Sequence, residues 1–531
     1  MTSPLIAPLS PSLLSSTDAL EFRADLLPSA AAYPDTFPLL RDLQALRLLS
    51  RSPRAPLLRA RSPYDGAGGS TTLASLPLVF TVRTGGQAGT FPDDPGAVGR
   101  MFGLLRAALR AGVECLDVEA AWGEGRWGPL LAEARGEYGG TLVLGSHHVP
   151  GRLVGDGEAE ELARMCGMGG QADAVKLILS CEGRATAGQA LACAERAVPD
   201  RPVIAMALGI PGQHSRVLNP RFTPVTHPSL PSAAAPGQLS SEEIMAARVA
   251  AGLAPRRTYH IVGGGIPYTL SPALHQRAID ACGLPHAYVK NDVESLGDFV
   301  GSEEFKAPSF GGSSVTIPYK VEIMEHLDWV EESARELGAV NTVVAEYDKG
   351  GGRVLKGYNT DVDGIYIPVE GRLRGGEDRG GQYFLVVGAG GAARAAVYAG
   401  RKLGFKVLVW NRTREKAEEL AREAGAEAVG DLSELGARGG QVRVCMSTLP
   451  AAAEFTLPEE LLHDRLIVFD ANYKPYSTAL IAQAEAAGVG GVIRGSEMFY
   501  EQGVAQFERW FGRRAPYEEM RDLVISKCKE E

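Results

Sequence analysis

Lys176 stands in Ala174-Val175-Lys176-Leu177-Ile178, a run apolar enough to form a buried central strand. Burying a lysine is costly, and desolvation favours its neutral amine, which can attack a ketone and form an imine. The bland alternative is a lysine at a strand end that snorkels to water. His148, in Gly145-Ser146-His147-His148, offers a group that moves protons near neutral pH. Glu119, one strand earlier, could fix its tautomer. The expected chemistry is imine formation at Lys176, removal by His148 of a proton from the adjacent carbon, and loss of a β-hydroxyl as water. No metal is required, and the chain shows no metal-ligand spacing such as H-x-x-x-H.

A second set of residues lies downstream. The run Gln382–Val387 leads into Gly388-Ala389-Gly390-Gly391-Ala392-Ala393-Arg394 and a helix-like stretch to Leu403. This is the strand, glycine turn and helix of a dinucleotide fingerprint, with Ala393 in the third small position. Taken alone it is a weak signal, since helix packing also selects small residues. The next apolar run, Phe405–Trp410, ends in Asn411-Arg412-Thr413-Arg414, where an NAD-specific site would carry an acid for the ribose hydroxyl. Arginine and threonine there favour a 2′-phosphate, so NADP is the expected cofactor, with NAD possible. Upstream, Lys320, Asn341, Asn359 and Asp361 end apolar runs. A lysine beside an aspartate can shuttle the proton that accompanies hydride transfer between a hydroxyl and a ketone; a simple ion pair is the competing reading.

These residues need a scaffold, and the periodicity supplies one. Short β-type runs at Ala19–Phe22, Leu76–Val82, Val113–Val118, Thr141–Leu144, Ala174–Leu179 and Val203–Met206 alternate with helix-like stretches, the signature of a parallel α/β fold. Their ends carry Glu21, Arg23, Arg83, Glu119, His147, His148 and Lys176. In a (β/α)8 TIM barrel of roughly 250 residues the reacting groups sit at strand C-termini. The expected domains are 1–250 as that barrel, 256–368 as a substrate-binding lobe completed by 490–531, and 378–489 as a Rossmann domain. Leu57–Ser75 reads as a Gly/Ser/Pro-rich surface insertion, and Pro224–Gln238 reads as linker by composition alone. A weak first strand, Leu5–Leu9 broken by Pro8, is the doubtful part of the barrel.

With 531 residues, 45% hydrophobic and 22% charged, the chain has globular composition and room for two or three domains. A net charge of −10 without a polybasic run argues against direct nucleic-acid binding. No apolar run reaches the roughly 18 residues that span a bilayer, and no signal-peptide layout is present; a cytoplasmic protein without membrane contact is expected. Seven scattered cysteines, none in C-x-x-C, argue against disulfides and zinc.

The stretches DALEFRADLL (18–27), LVFTVRT (78–84), LDVE (116–119), SHH (146–148), DAVKL (173–177), GQHSR (212–216) and 223–244 resemble the type I 3-dehydroquinate dehydratase family. The similarity is greatest to the form in fungal multidomain shikimate-pathway proteins, the C-terminal part of pentafunctional AROM. The resemblance implies a Schiff base at Lys176, His148 as general acid/base oriented by Glu119, and substrate contacts from Glu21, Arg23, Arg83, Arg216 and Gln238. Two departures are Val149, where an aspartate is usual, and Gln87-Ala88-Gly89 in the βα loop. Residues 259–512 resemble the shikimate/quinate dehydrogenase family through IPYTLSPALH (266–275), SVTIPYK (314–320), GAVNT (338–342), YNTDVDG (358–364) and EQGVAQFERW (501–510). That implies catalysis by Lys320 and Asp361 and substrate contacts from Thr269, Ser271, Thr316, Asn341, Asn359 and Gln502. It also implies cofactor binding by Gly388–Ala393 and Asn411–Arg414. Thr269 and Gln276 replace the usual serine and asparagine, and one added methyl can retune selectivity by ~1–3 kcal/mol.

The leading expectation is a bifunctional enzyme that dehydrates 3-dehydroquinate and reduces 3-dehydroshikimate with NADPH, or interconverts quinate and dehydroquinate. The rival is a quinate-repressor-like regulator that senses the same metabolites and acts through a transcription-factor partner. A third reading keeps only the dehydrogenase active.

Overall fold

The computed structural model describes residues 19–26, 43, 77–219, 223–227, 230, 235–348, 350–373, 379–435 and 438–530. Two compact units meet in the chain at Pro255 and Arg256. In the first, six strands pair in sequence order, all parallel: β1 Leu20–Arg23, β2 Leu78–Thr81, β3 Cys115–Glu119, β4 Leu142–Val149, β5 Ala174–Leu179 and β6 Val203–Ala207. Helices Pro95–Arg110, Glu124–Glu137, Asp156–Cys166 and Arg184–Ala197 fill the crossovers from β2 onward, which is the repeating unit of a (β/α) barrel. The six strands form an open arc of that barrel among the described residues. The expected first strand, Leu5–Leu9, and the insertion at 57–75 lie outside them.

Alternation along the strands separates two environments. Leu78, Phe80, Leu116, Val118, Val143 and Val175 point outward into the apolar layer shared with Val98, Met101 and Leu105 of the first helix. The opposite face carries Leu144, Ile178, Ile204 and Met206 along with the polar residues described below. Asp94 caps the first helix by accepting from Ala97 N, with Pro95 at the first helical position. Gly145 is dictated by close approach, because a Cβ there would sit 1.9 Å from Cys166 O.

The second unit contains two six-stranded sheets. The first, in order β10-β12-β11-β9-β7-β8, is mixed: β7 Thr258–Gly263, β8 Ala287–Asp292, β9 Phe310–Val315, β10 Trp329–Val330, β11 Thr342–Tyr347 and β12 Arg353–Tyr358, with β11 antiparallel to both neighbours. The second runs β15-β14-β13-β16-β17-β18 and is wholly parallel: β13 Tyr383–Val387, β14 Lys406–Trp410, β15 Glu427–Ala428, β16 Val442–Ser447, β17 Ile467–Asp470 and β18 Gly491–Ile493. Read from β13 outward this is the doubly wound 3-2-1-4-5-6 order, with its switch point between β13 and β16. Helices Asp361–Arg372 and Gly495–Phe511 connect the two sheets and pack on each other. No helix among the described residues is long and apolar enough to cross a membrane.

Candidate active sites

In the first unit the β4–β5 register sets Ser146 opposite Lys176, and β3–β4 sets Glu119 opposite Ser146. His148, two residues past Ser146, shares its face. Lys176 is buried, as its apolar run predicts. Its charge has partners that the sequence reading did not foresee: Nζ lies 2.9 Å from Asp117 Oδ2 and 3.4 Å from Glu21 Oε1. Asp117 also accepts from Arg83 Nη2 at 2.6 Å and from Ser146 Oγ, while Arg83 Nη1 donates to Ser146 Oγ at 2.8 Å. Burial alone would raise the Asp117 pKa, but the Arg83 and Lys176 charges win and hold it far below the usual carboxylate range.

His148 is half-buried, with its Nε2 shielded from solvent, beside the same cations. Desolvation first, then the Arg83 and Lys176 charges, push its pKa well below 6.5, so it rests as a neutral imidazole able to accept a proton. Its Nε2 has no hydrogen-bond partner among the described residues. Glu119 departs from expectation. Its carboxylate accepts from Thr84 N (2.8 Å), Thr84 Oγ1 (2.7 Å) and Trp122 Nε1 (2.7 Å) and lies 3.6 Å from Arg83. The cause is local: β3 ends at Glu119, and the turn Ala120–Trp122 folds the indole back onto it. The group that reaches His148 is Gln87, whose Oε1 accepts from His148 N at 2.7 Å.

The four remaining expected contacts divide. Glu21 accepts from Thr81 Oγ1 at 2.8 Å beside Lys176, and Arg23 is clamped by Asp25 at 2.8 and 2.7 Å. Gln238 Nε2 donates to Val225 O at 3.1 Å. Arg216, only 4% exposed, donates to Pro224 O (3.3 Å) and Met206 Sδ (3.8 Å), and its Nε has no partner among the described residues. No carboxylate among the described residues pairs with it, and burial lowers its pKa. A buried cation without an anion is costly, which suits a site that takes an anionic ligand.

In the second unit a cavity of about 570 Å³ opens at the C-terminal ends of β7 and β9. Thr269, Ser271, Thr316, Lys320, Asn341, Asp361 and Gln502 all line it. Lys320 Nζ lies 2.6 Å from Asp361 Oδ2, and Asn341 Nδ2 donates to Asp361 Oδ1 at 2.9 Å. Asn359 is the exception among the expected residues. Its side chain donates to Ala339 O (2.9 Å) and accepts from Asp361 N (3.1 Å), so it fixes the start of the 361–372 helix beneath the cavity. Tyr473, Met498, Phe499, Ser314 and Gln506 line the cavity as well. Of these, Gln506 could have been found one helical turn beyond Gln502.

Gln506 fixes the direction of a buried hydrogen-bond chain. Its Nε2 donates to Asn341 O (3.2 Å) and Thr342 Oγ1 (3.1 Å). A carbonyl only accepts, so Oε1 must face His275 Nε2 (3.0 Å) and Ser314 Oγ (2.9 Å), and both donate to it. Tyr288 then donates to Ser314 at 2.7 Å. On the other side Thr342 Oγ1 donates to Asn341 Oδ1 at 2.7 Å, which leaves Asn341 Nδ2 for Asp361. His275, fully buried, has its pKa lowered to about 3 by desolvation and stays neutral in this role. The near-isosteric Gln506→Glu would set a carboxylate oxygen against Asn341 O. Chemical denaturation should show a loss of about 1–3 kcal/mol, the cost of an unsatisfied buried polar group.

The dinucleotide motif occupies the switch point. Gly388 has φ +119°, and a Cβ there would meet Thr448 Oγ1 at 2.2 Å, so the turn requires glycine. Gly390 and Gly391 border open space where a Cβ would project, at the uncapped N-terminus of helix Gly391–Lys402. Such a cradle of amides fits a pyrophosphate. Asn411, Arg412 and Arg414 line a hollow of about 430 Å³ at the end of β14, and Asn411 Nδ2 donates to Thr413 O at 2.9 Å. Among the described residues no group of three or more His, Cys, Asp or Glu side chains is arranged to hold a metal ion.

Comparisons with known proteins agree with this geometry. Residues 68–251 match the Type I 3-dehydroquinase family, 261–343 the shikimate dehydrogenase substrate binding domain, and 495–525 the shikimate 5'-dehydrogenase C-terminal domain. The pentafunctional AROM polypeptide of Mycosarcoma maydis is 34% identical over 97% of this chain and 31% of its own length. That of Malassezia globosa is 35% identical over 83% and 28%. This chain thus spans about a third of the curated relatives it matches. The solved dehydroquinate dehydratase and shikimate dehydrogenase from S. pombe AroM superposes with a TM-score of 0.73 at 30% identity, covering 98% of this chain and 96% of that one.

Proposed function

Because the chain belongs to the family of fused type I 3-dehydroquinases and shikimate dehydrogenases, we propose that it dehydrates 3-dehydroquinate in its first unit and reduces 3-dehydroshikimate in its second. The domains are assigned as 1–250 for the barrel, 256–368 with 490–531 for the substrate lobe, and 378–489 for the Rossmann domain. The observation that carries the reading is a buried lysine and a neutral, half-buried histidine on one face of adjacent strands. Lys176 condenses with the substrate ketone, and His148 takes the proton from the neighbouring carbon and returns it to the departing hydroxyl. Arg216, buried without a carboxylate partner among the described residues, receives the substrate carboxylate. With His148 held below the ordinary imidazole value, the acid limb of the dehydratase kcat/KM profile should fall below pH 6.5; an inflection at or above that value counts against His148 as the base.

In the second unit Lys320 delivers the proton to the substrate oxygen, and Asp361, aligned by Asn341, restores it. The cofactor supplies the hydride when bound, held by the Gly388–Ala393 turn and by Asn411–Arg414. The two arginines, and the lack of an acid at the end of β14, support NADP over NAD. What favours an enzyme over a metabolite-sensing regulator is that Lys176, His148, Lys320 and Asp361 all keep geometry suited to proton transfer. Separate steady-state assays of the two reactions, with shikimate and quinate compared under NADP and NAD, test the proposal. Turnover in both with NADP preferred supports it, whereas ligand binding without turnover supports the regulator.

A further inference from the structure

We propose that Asp117 is the positioning residue of the first site and serves as the counter-ion of the imine nitrogen on Lys176. The inference rests on the Schiff-base reading above and adds the group that holds the reacting charge. Among the described residues Asp117 is one of three carboxylates on the inner face, and its environment differs from the other two. Glu21 is partly open to solvent, with its side chain 31% exposed, and Glu119 is occupied by Thr84 and Trp122. Asp117 has a fully buried side chain and makes the shortest contact to Lys176 Nζ, 2.9 Å against 3.4 Å for Glu21. Arg83 Nη2 and Ser146 Oγ hold it from two further directions, so its orientation does not depend on the lysine.

The charge balance shows why such a group matters. An ammonium and a ketone combine into a protonated imine and one water, so the single positive charge at Nζ persists from resting enzyme to intermediate. Only the protonated imine draws electrons strongly enough to acidify the adjacent carbon. A fixed carboxylate 2.9 Å from Nζ favours that protonated form in a low-dielectric site. It also spares the intermediate an unpaired buried charge.

Asp117→Asn removes the charge with little change of shape. In full-length protein assayed with 3-dehydroquinate, the alkaline limb of the dehydratase kcat profile should move down by about one pH unit or more, since one unit is the shift produced by a tenfold change in the protonation equilibrium. KM should stay within about threefold, and the dehydrogenase should be unaffected. A merely structural role would lower the melting temperature without moving that limb. Ser146→Ala, which keeps every charge but loosens Asp117, should move the limb the same way by less, and it decides the matter if Asp117→Asn does not fold. An unmoved limb in the folded variant overturns the proposal. If the wild-type protein itself neither turns over 3-dehydroquinate nor yields a borohydride-trapped adduct, the Schiff-base reading has failed instead.

Discussion

Lys176→Met will abolish the dehydratase reaction, with kcat falling on the order of 10⁴-fold or more as expected for loss of a covalent nucleophile, while the dehydrogenase keeps its wild-type rate. Histidine alone can remove a proton only if the carbon is acidified, and the amine at Nζ is what allows an electron-withdrawing imine to form there. Methionine fills the same volume without charge, so packing between β4 and β5 is retained, although Asp117 and Glu21 lose one cation. Arg83 still neutralises Asp117 at 2.6 Å. Circular dichroism and the intact dehydrogenase act as folding controls in one polypeptide. A variant with more than a tenth of wild-type dehydratase activity would remove Lys176 from the chemistry.

The second large effect is expected at Asp361. Asp361→Asn should lower dehydrogenase kcat by roughly 10²–10⁴-fold, the range for loss of a positioned general acid–base group, and leave the dehydratase untouched. Among the described residues Asp361 is the only carboxylate that pairs with Lys320. Its other oxygen is set by Asn341, whose amide direction is fixed in turn by Thr342, Thr360 and Gln506. The asparagine can still accept from one neighbour, so the fold should survive. A variant within threefold of wild type would mean that the pair is only a structural ion pair.

Much of this organisation was legible in the sequence because it is carried by local patterns. Most strands formed within a residue or two of the apolar runs, for example Leu20–Arg23 against the expected Ala19–Phe22, but β4 runs Leu142–Val149, five residues past the expected end at Leu144. Alternation in a strand is enough to place Lys176 and His148 on one face once the parallel register is known. The Gly388 turn was readable because strand, turn and helix are contiguous. What the sequence did not reveal depends on contacts between distant segments. Asp117 was passed over within LDVE, although Cys115, Asp117 and Glu119 share a face by period-two spacing and the middle one meets the lysine. Glu119 was assigned to His148 by proximity of strands, but Thr84 and Trp122 reach it first. Asn359 was read as a substrate contact through the family resemblance; its side chain accepts from Asp361 N just ahead of the helix that Asp361 begins. Gln506 was missed because a glutamine inside an amphipathic helix looks ordinary until His275, Ser314, Asn341 and Thr342 converge on it from three other elements.

The most direct test of the account is to reduce the protein with borohydride in the presence of 3-dehydroquinate and map the product by peptide mass spectrometry. A substrate-dependent adduct confined to Lys176 in Ala174–Leu179, and absent from Lys176→Met, is expected. An adduct at another lysine, or none from folded protein that still turns the substrate over, would contradict it.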